Sequence, residues 1–545
     1  MASTPGDDQS EQPEQNTQQG LLDAGQSVAT AVQTTLGPNG HDKMLVGEKG
    51  KVLVTNDGAR ILDRIEITDP VGQAIARAAR SQQQAVGDGT TTTVILTGAL
   101  LSSAQSLLAD GFHPTTIVDG FHRATDVARD RLPEYAVSVD RTDEVLLENV
   151  AKTTVTGRWD ETNTARFAEL TVSALQAVGF DRSKLGIEAY PGGQLQESEL
   201  VDGICIDMET SPATVDDWGR SDRRIPNPRI AMVNSEITIE KPDAVASVTL
   251  ESSDQAEQFR DHEQAVRSKI VATITELDVD VLFCQKSIDE PIRNSLSRAG
   301  ILAVERTRQD QFDATCRATG ATAVQSVDQL TPAAVGEAGG VRRRTVGTTE
   351  LLQVVDCPLE TRCSVLLRGG TPHVAAETER IVAECSRNVC LAVGDGRVVA
   401  GGGATALALA TDLRRAARSV ANREQIVIDA FGEALEEIPR VLAINAGRDP
   451  IDALSTLRTR QAGNEPTAGI GSSGEGREMI DAGVVEPYPV FDRSLAIALD
   501  AASMILRIDD VIETTATERG DAADTTHAND HAGPDTGGYP WAISH

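Results

Sequence analysis

Aromatic residues make up only 3% of this 545-residue chain. With so few rings, its cores must be assembled from Ala, Val, Leu and Ile, and the 40% hydrophobic fraction is that of a globular protein. Lysine is scarce too: there are eight, so arginine supplies the other 42 cations. Against 82 acidic residues this leaves a formal charge of −32, which argues against nucleic acid as a partner. A surface so acidic repels itself, and the repulsion is screened at molar salt, where the Debye length falls to about 3 Å. Depleted lysine with excess acid therefore points to a halophilic host. The seven cysteines (205, 284, 316, 357, 363, 385 and 390) are odd in number and include no C-x-x-C pair. That excludes a disulfide framework and reads as buried thiols, Cys385 and Cys390 among them, in a reducing cytoplasm. No secretory leader is evident, and no apolar run approaches the roughly 18 residues of a membrane span. G-x-x-x-x-G-K-[ST] and H-E-x-x-H are absent, which removes the P-loop and zincin classes.

A chain of this length suggests roughly three domains of about 150 residues. Residues 1–19 are polar and read as a disordered arm, and residues 519–545 as a disordered acidic tail. Between them the texture changes twice. Residues 20–141 are helical by periodicity, with a hairpin-like stretch at Val52–Thr55. Residues 206–367 alternate strand-like runs (Ile230–Val233, Val281–Cys284, Ile301–Val304) with helical ones. From residue 397 to 518 the chain is helical again. A helical domain interrupted by an α/β domain explains this order, with 142–205 and 368–396 as the connections. Within the α/β part, Val266, Ile270, Ile274 and Leu277 form a stripe that packs inward. The turns before it offer only Ala256 and Phe259, so that helix either projects into solvent or lies on the surface.

Two acidic-glycine motifs stand out, Val54-Thr55-Asn56-Asp57-Gly58 and Gly87-Asp88-Gly89-Thr90-Thr91-Thr92-Thr93. The second opens a helix. Glycines and hydroxyls at a helix N-terminus make an anion site, because backbone N–H groups and the helix dipole both favour negative charge. Asp88 would repel phosphate unless a cation sat between them, which calls for Mg²⁺ held by a carboxylate and phosphate oxygens. The simpler alternative is an Asx-type turn capping an ordinary helix.

The order of motifs resembles that of the chaperonins. Thr35-Leu36-Gly37-Pro38-Asn39-Gly40, Asp42-Lys43-Met44-Leu45 and the two acidic-glycine motifs match their N-terminal nucleotide site. Gly396–Ala404, Asn445-Ala446-Gly447, Asp449-Pro450 and Gly483-Val484-Val485-Glu486-Pro487 follow in register. Asn56, Cys284–Glu290 and Leu367-Arg368-Gly369-Gly370 resemble the group II, thermosome-type branch. The resemblance implies a multidomain α and α/β fold. A helical equatorial domain (20–141 and 397–518) joins through a small intermediate domain (142–205 and 368–396) to an α/β apical domain (206–367) with a lid protrusion near 236–267. It implies an ATP-driven chaperone acting in a double ring of identical or paralogous subunits on non-native polypeptides, in the cytoplasm and away from membranes.

By the same resemblance, Leu36, Gly37 and Pro38 form the turn against the nucleotide, Asp88 holds Mg²⁺, and Gly89, Thr90, Thr91 and Thr92 wrap the phosphates. Gly402 passes close to the ribose or base, where a side chain would collide, and Glu486 takes hydrogen bonds from the ribose. Two acids are candidates for orienting the attacking water. Asp57 matches the family; Glu384, twelve residues ahead of Gly396, stands where the family carries aspartate. The two should meet only when the intermediate domain swings down. Glutamate's extra methylene implies slower hydrolysis, or else a subunit that scaffolds a mixed ring with little turnover. Arg158 replaces a lysine that reaches the γ-phosphate, so its planar fork must contact differently. His41 replaces a methionine, a change expected to affect packing.

Overall fold

The computed structural model describes residues 11–47, 52–208, 224–239, 253–347, 349–463 and 465–509. Helices from both ends of the chain form one body. Glu11–Gln33, Pro70–Ala85, Thr90–Ala109 and Pro114–Arg131 from the first part pack with Ala404–Ala417, Glu424–Leu435, Glu437–Asn445 and Tyr488–Leu506 from the last. Their shared core unites Leu22, Ile75, Leu96, Leu100 and Phe121 with Leu407, Leu413, Phe431 and Leu495. Rings are few, and two of them meet here: Phe121 and Phe431 pack edge to face with centroids 5.6 Å apart.

The Thr90–Ala109 helix runs through the middle of this body, touching helices of both halves. By length and composition it is apolar enough to cross a bilayer, the one such helix among the described residues. Scanning for unbroken apolar runs misses this, because Thr and Ser interrupt the run. A helix apolar on all sides is buried in a core or in lipid; here Val94, Leu96, Leu100 and Leu101 are sealed by neighbouring helices. The N-terminal arm also differs from expectation, since the first helix already starts at Glu11. Glu and Gln are good helix formers, Pro13 sits in the tolerated first turn, and Leu21 and Leu22 anchor the helix in the core. Residues 1–10 and the expected tail at 519–545 lie outside the described residues.

A second unit joins the body to the rest. It packs helices Glu144–Thr154, Glu161–Ala177 and Pro372–Asp395 against a sheet ordered Leu185–Pro191, Cys363–Gly369, Glu199–Asp202. At the seam with the helical body, Arg397–Ala400 pairs antiparallel with both Val137–Ser138 and Val485–Pro487, setting Val399 opposite Glu486. The seven cysteines are free thiols, and Cys385 and Cys390 fill the core of this second unit.

The central segment is α/β. Leu302–Val304, Val281–Cys284 and Arg229–Val233 are parallel neighbours, and Gly336–Glu337 closes the edge. Side chains alternate across this sheet. Met232 and Phe283 face a second, antiparallel sheet through Leu352 and Val354, whereas Val233 and Leu282 face helices through Ile274, Ile292 and Leu296. Of the predicted stripe, Ile270, Ile274 and Leu277 join that core and Val266 does not. Part of the expected protrusion, residues 240–252, falls outside the described residues, so neither reading of it is decided.

Because Phe431 packs from the second half onto Phe121 of the first, Phe431→Ala should destabilise the helical body by about 3–5 kcal/mol. Chemical denaturation in molar salt measures this; an unchanged midpoint would mean the two halves do not share a core.

Candidate active site

A cavity of about 820 Å³ opens between the helical body and the second unit. Its wall includes Leu36, Gly37, Pro38, Asp57, Asp88, Gly89, Thr90, Thr91, Thr92, Arg158, Glu384, Gly402 and Glu486, so the structure brings every predicted site residue to one place.

The Thr35–Gly40 turn is held from the far end of the chain. The Asn445 amide donates to the carbonyls of Gln33 and Leu36, both at 2.9 Å, and Asn39 donates to Ser472 O at 2.8 Å. Gly37 has φ of 82°, and a Cβ there would lie 2.3 Å from Leu442 Cδ2. No other residue suits the turn. Gly402 lines the cavity, and packing behind it also demands glycine. Its φ is 62°, a Cβ would meet Met479 Sδ at 2.6 Å and Ile470 O at 2.8 Å, and its carbonyl accepts from Ile470 N–H at 2.8 Å.

The two acidic-glycine motifs behave differently. Asp57 is an ordinary N-cap: its Oδ1 accepts from Ala59 N–H at 2.9 Å and Arg60 N–H at 3.2 Å. Asp88 caps nothing in that way. The Thr90–Ala109 helix starts at Gly89, φ 74°, without a side-chain cap. No side chain caps its first-turn N–H groups, an arrangement suited to receiving an anion. Asp88 Oδ1 accepts from Gly89 N–H at 2.6 Å, and Oδ2 accepts from the Asn388 amide.

The charges are crowded. Burial pushes the Asp88 carboxyl above the usual range; the Gly89 and Asn388 hydrogen bonds oppose this, and the Asp57 charge adds to it. Glu384 is pushed up to about 7 by burial and then by Asp88, with Arg380 opposing. Glu486, on the seam strand, is pushed up to about 8 by burial and by Asp88. Arg158 is held below its ordinary value by burial and by the neighbouring Arg380.

Arg380 is the residue that sequence reasoning missed. It donates to Glu384 Oε2 at 2.8 Å and Glu377 Oε1 at 2.6 Å, and its Nη1 lies 3.6 Å from Asp57 Oδ2. Asp57 and Glu384 thus share one guanidinium in this conformation. Asn388 was missed as well. Arg380, Glu384 and Asn388 are spaced four apart on Pro372–Asp395, and that spacing was the available signal. Lys152, Asn149 and Thr154 of the Glu144–Thr154 helix also line the cavity. His41, expected to alter packing, is exposed instead.

No group of three or more His, Cys, Asp or Glu among the described residues could hold a metal by itself. The cavity nonetheless fits Mg²⁺, which takes one or two carboxylates and draws its other ligands from phosphate and water. Partly buried Asp88 beside the Asp57 charge is such a donor, and a cation would relieve the unfavourable charge on its carboxyl.

Sequence comparison agrees with this geometry. The pattern of the TCP-1/cpn60 chaperonin family matches residues 28–516. A thermosome subunit of Methanopyrus kandleri is 40% identical over 498 residues, 90% of each chain. Thermosome subunit alpha of Halobacterium salinarum is 38% identical over 90% of this chain and 87% of its own. Thermosome subunit 1 of Haloferax volcanii is 38% identical over 98% and 94%. With a match spanning nearly its whole length, this chain belongs to the TCP-1/cpn60 chaperonin family and is a group II chaperonin subunit.

Proposed function

We propose that this subunit hydrolyses ATP in the seam cavity and uses the cycle to fold non-native polypeptides inside a cytoplasmic double ring of identical or paralogous subunits. The observation carrying this reading is the convergence of an uncapped helix N-terminus, Asp57, Asp88 and Glu384 on one cavity. In this reading the helical body is the equatorial domain, the second unit the intermediate domain, and the α/β segment the apical domain. Thr90, Thr91 and Thr92 receive the phosphates on hydroxyl and N–H groups; the Leu36-Gly37-Pro38 turn and Gly402 bound the nucleotide, and Glu486 meets the ribose. Asp88, with Asp57 nearby, would hold Mg²⁺, which when bound neutralises charge on the phosphate oxygens. Arg158 brings a second positive group from the intermediate domain.

Asp57 and Glu384 orient the attacking water, and Glu384 takes its proton. Asp57 spends Oδ1 on its helix cap, leaving Oδ2 for this work. Glu384 is tethered by Arg380, and it must leave that guanidinium, or turn with it, to face the γ-phosphate. Its added methylene and this tether make turnover slower than an aspartate would give. A scaffold subunit without turnover would not need a carboxylate pushed towards neutrality at the cavity wall.

Glu384→Ala should still bind ATP and assemble, because it touches neither cap nor cradle, while kcat falls by about 10²–10⁴. Glu384→Asp should retain or raise turnover. Phosphate release by the purified rings reads both, and parent-like rates in Glu384→Ala would remove Glu384 from the mechanism. Protonated Glu384 cannot accept a proton, so kcat/KM should rise with pH through about 7, a limb that Glu384→Gln loses.

At −32 the rings should be stable in molar salt and dissociate near 0.1 M, where the Debye length is about 10 Å. Sedimentation in dilute buffer tests this; intact rings there would contradict the halophilic reading.

A further inference from the structure

Asn388 is wholly buried on the Pro372–Asp395 helix, one turn beyond Glu384. Its Nδ2 donates to Asp88 Oδ2 and, at 3.0 Å, to Thr154 Oγ1. Its Oδ1 is buried with no hydrogen-bond partner. A half-satisfied buried amide costs stability relative to an apolar side chain of the same size. Core packing therefore does not account for an asparagine at this position. The adjacent Arg387 lies against Gly87 and donates to Gln83 O at 3.3 Å, which fixes the helix against the Gly87-Asp88-Gly89 turn.

The Asp88 carboxylate is consequently gripped from two sides. Gly89 N–H holds Oδ1 from the equatorial side, and Asn388 holds Oδ2 from the intermediate side. Each oxygen keeps a lone pair for a further partner, but the plane of the carboxylate is set only while the helix is docked.

We infer that Asn388 is the positioning residue for the metal-binding carboxylate, making cation affinity depend on docking of the same helix that carries Glu384. This rests on the reading of Asp88 as the Mg²⁺ ligand. Partners that orient a metal ligand through hydrogen bonds are typically worth 10–100-fold in metal affinity. Metal loading and delivery of the water-orienting acid are then linked by one rigid helix, with Asn388 and Glu384 four residues apart on one face.

The test is Mn²⁺ titration of full-length, ADP-loaded protein in molar salt, followed by electron paramagnetic resonance. Asn388→Leu, matched in size but without the donor, should weaken Mn²⁺ binding about 10–100-fold. ADP affinity in EDTA should stay within about twofold, and saturating metal should restore most of kcat, as a positioning role requires. Asn388→Ser, too short to reach Asp88, gives the same reading if the leucine variant does not fold. Asp88→Asn separates the two claims. If Asp88→Asn loses Mn²⁺ and the Asn388 variants match the parent, the positioning role is overturned and the metal reading stands. If Asp88→Asn also binds Mn²⁺ like the parent, both fall. An equal loss of ADP affinity in EDTA would mark a general packing defect and overturn the proposal as well.

Discussion

Acid crowded into a seam is the constraint on which this molecule turns. Asp57, Asp88, Glu384 and Glu486 all reach one cavity, and burial drives three of them towards their neutral forms. Like charges in a low-dielectric cleft are tolerable only if something positive enters or protons stay on. Arg158 and Arg380 answer part of the demand from the side of the second unit. The charge balance of the cleft therefore depends on how the second unit is docked, and any cation arriving with a nucleotide changes that balance.

The rest of the fold serves to hold that seam. Because the helical body is made from both chain ends, the cavity walls come from positions hundreds of residues apart. Asn445 clamps the Thr35–Gly40 turn, and Val399 pairs with Glu486 across the seam sheet. The buried face of the Thr90–Ala109 helix, with Val94, Leu96, Leu100 and Leu101 sealed in the core, fixes its N-terminus at the cavity on a rigid element rather than a loop. The substituted acid sits on the opposite wall, on a helix that also touches Asp57 and Asp88 through Arg380 and Asn388.

Much of this placement was legible in the sequence, because turn glycines, hydroxyls and acids in a fixed order leave few ways to arrange them. Thr90–Thr92 and Asp88 could be placed on a helix start, and Glu384 by counting back from Gly396. Purposes were harder to read. Gly402 lines the cavity as expected of a ligand-contact glycine, but the sequence does not show that Met479 and Ile470 behind it also exclude a Cβ. Asp57 is both a cap and a cavity acid, and only coordinates separate its two oxygens. Arg380 and Asn388 escaped because a charged or amide residue four positions away on a helix normally signals a solvated face. Burial, which one-dimensional spacing does not report, makes them part of the site. The arm at 11–19 was misread because polarity argues against a core and not against a helix anchored by the leucines that follow.

The central claim is that the cleft's acids hold protons which a metal-bound nucleotide displaces. It is tested by calorimetry of preformed Mg·ADP binding at pH 7, repeated in buffers of different ionisation enthalpy. The account predicts net proton release from the parent, because a cation beside Asp88 lowers the proton affinity of Asp88 and Glu384. Release should be smaller in Glu384→Gln. Binding heats from the parent that do not vary with buffer would contradict it.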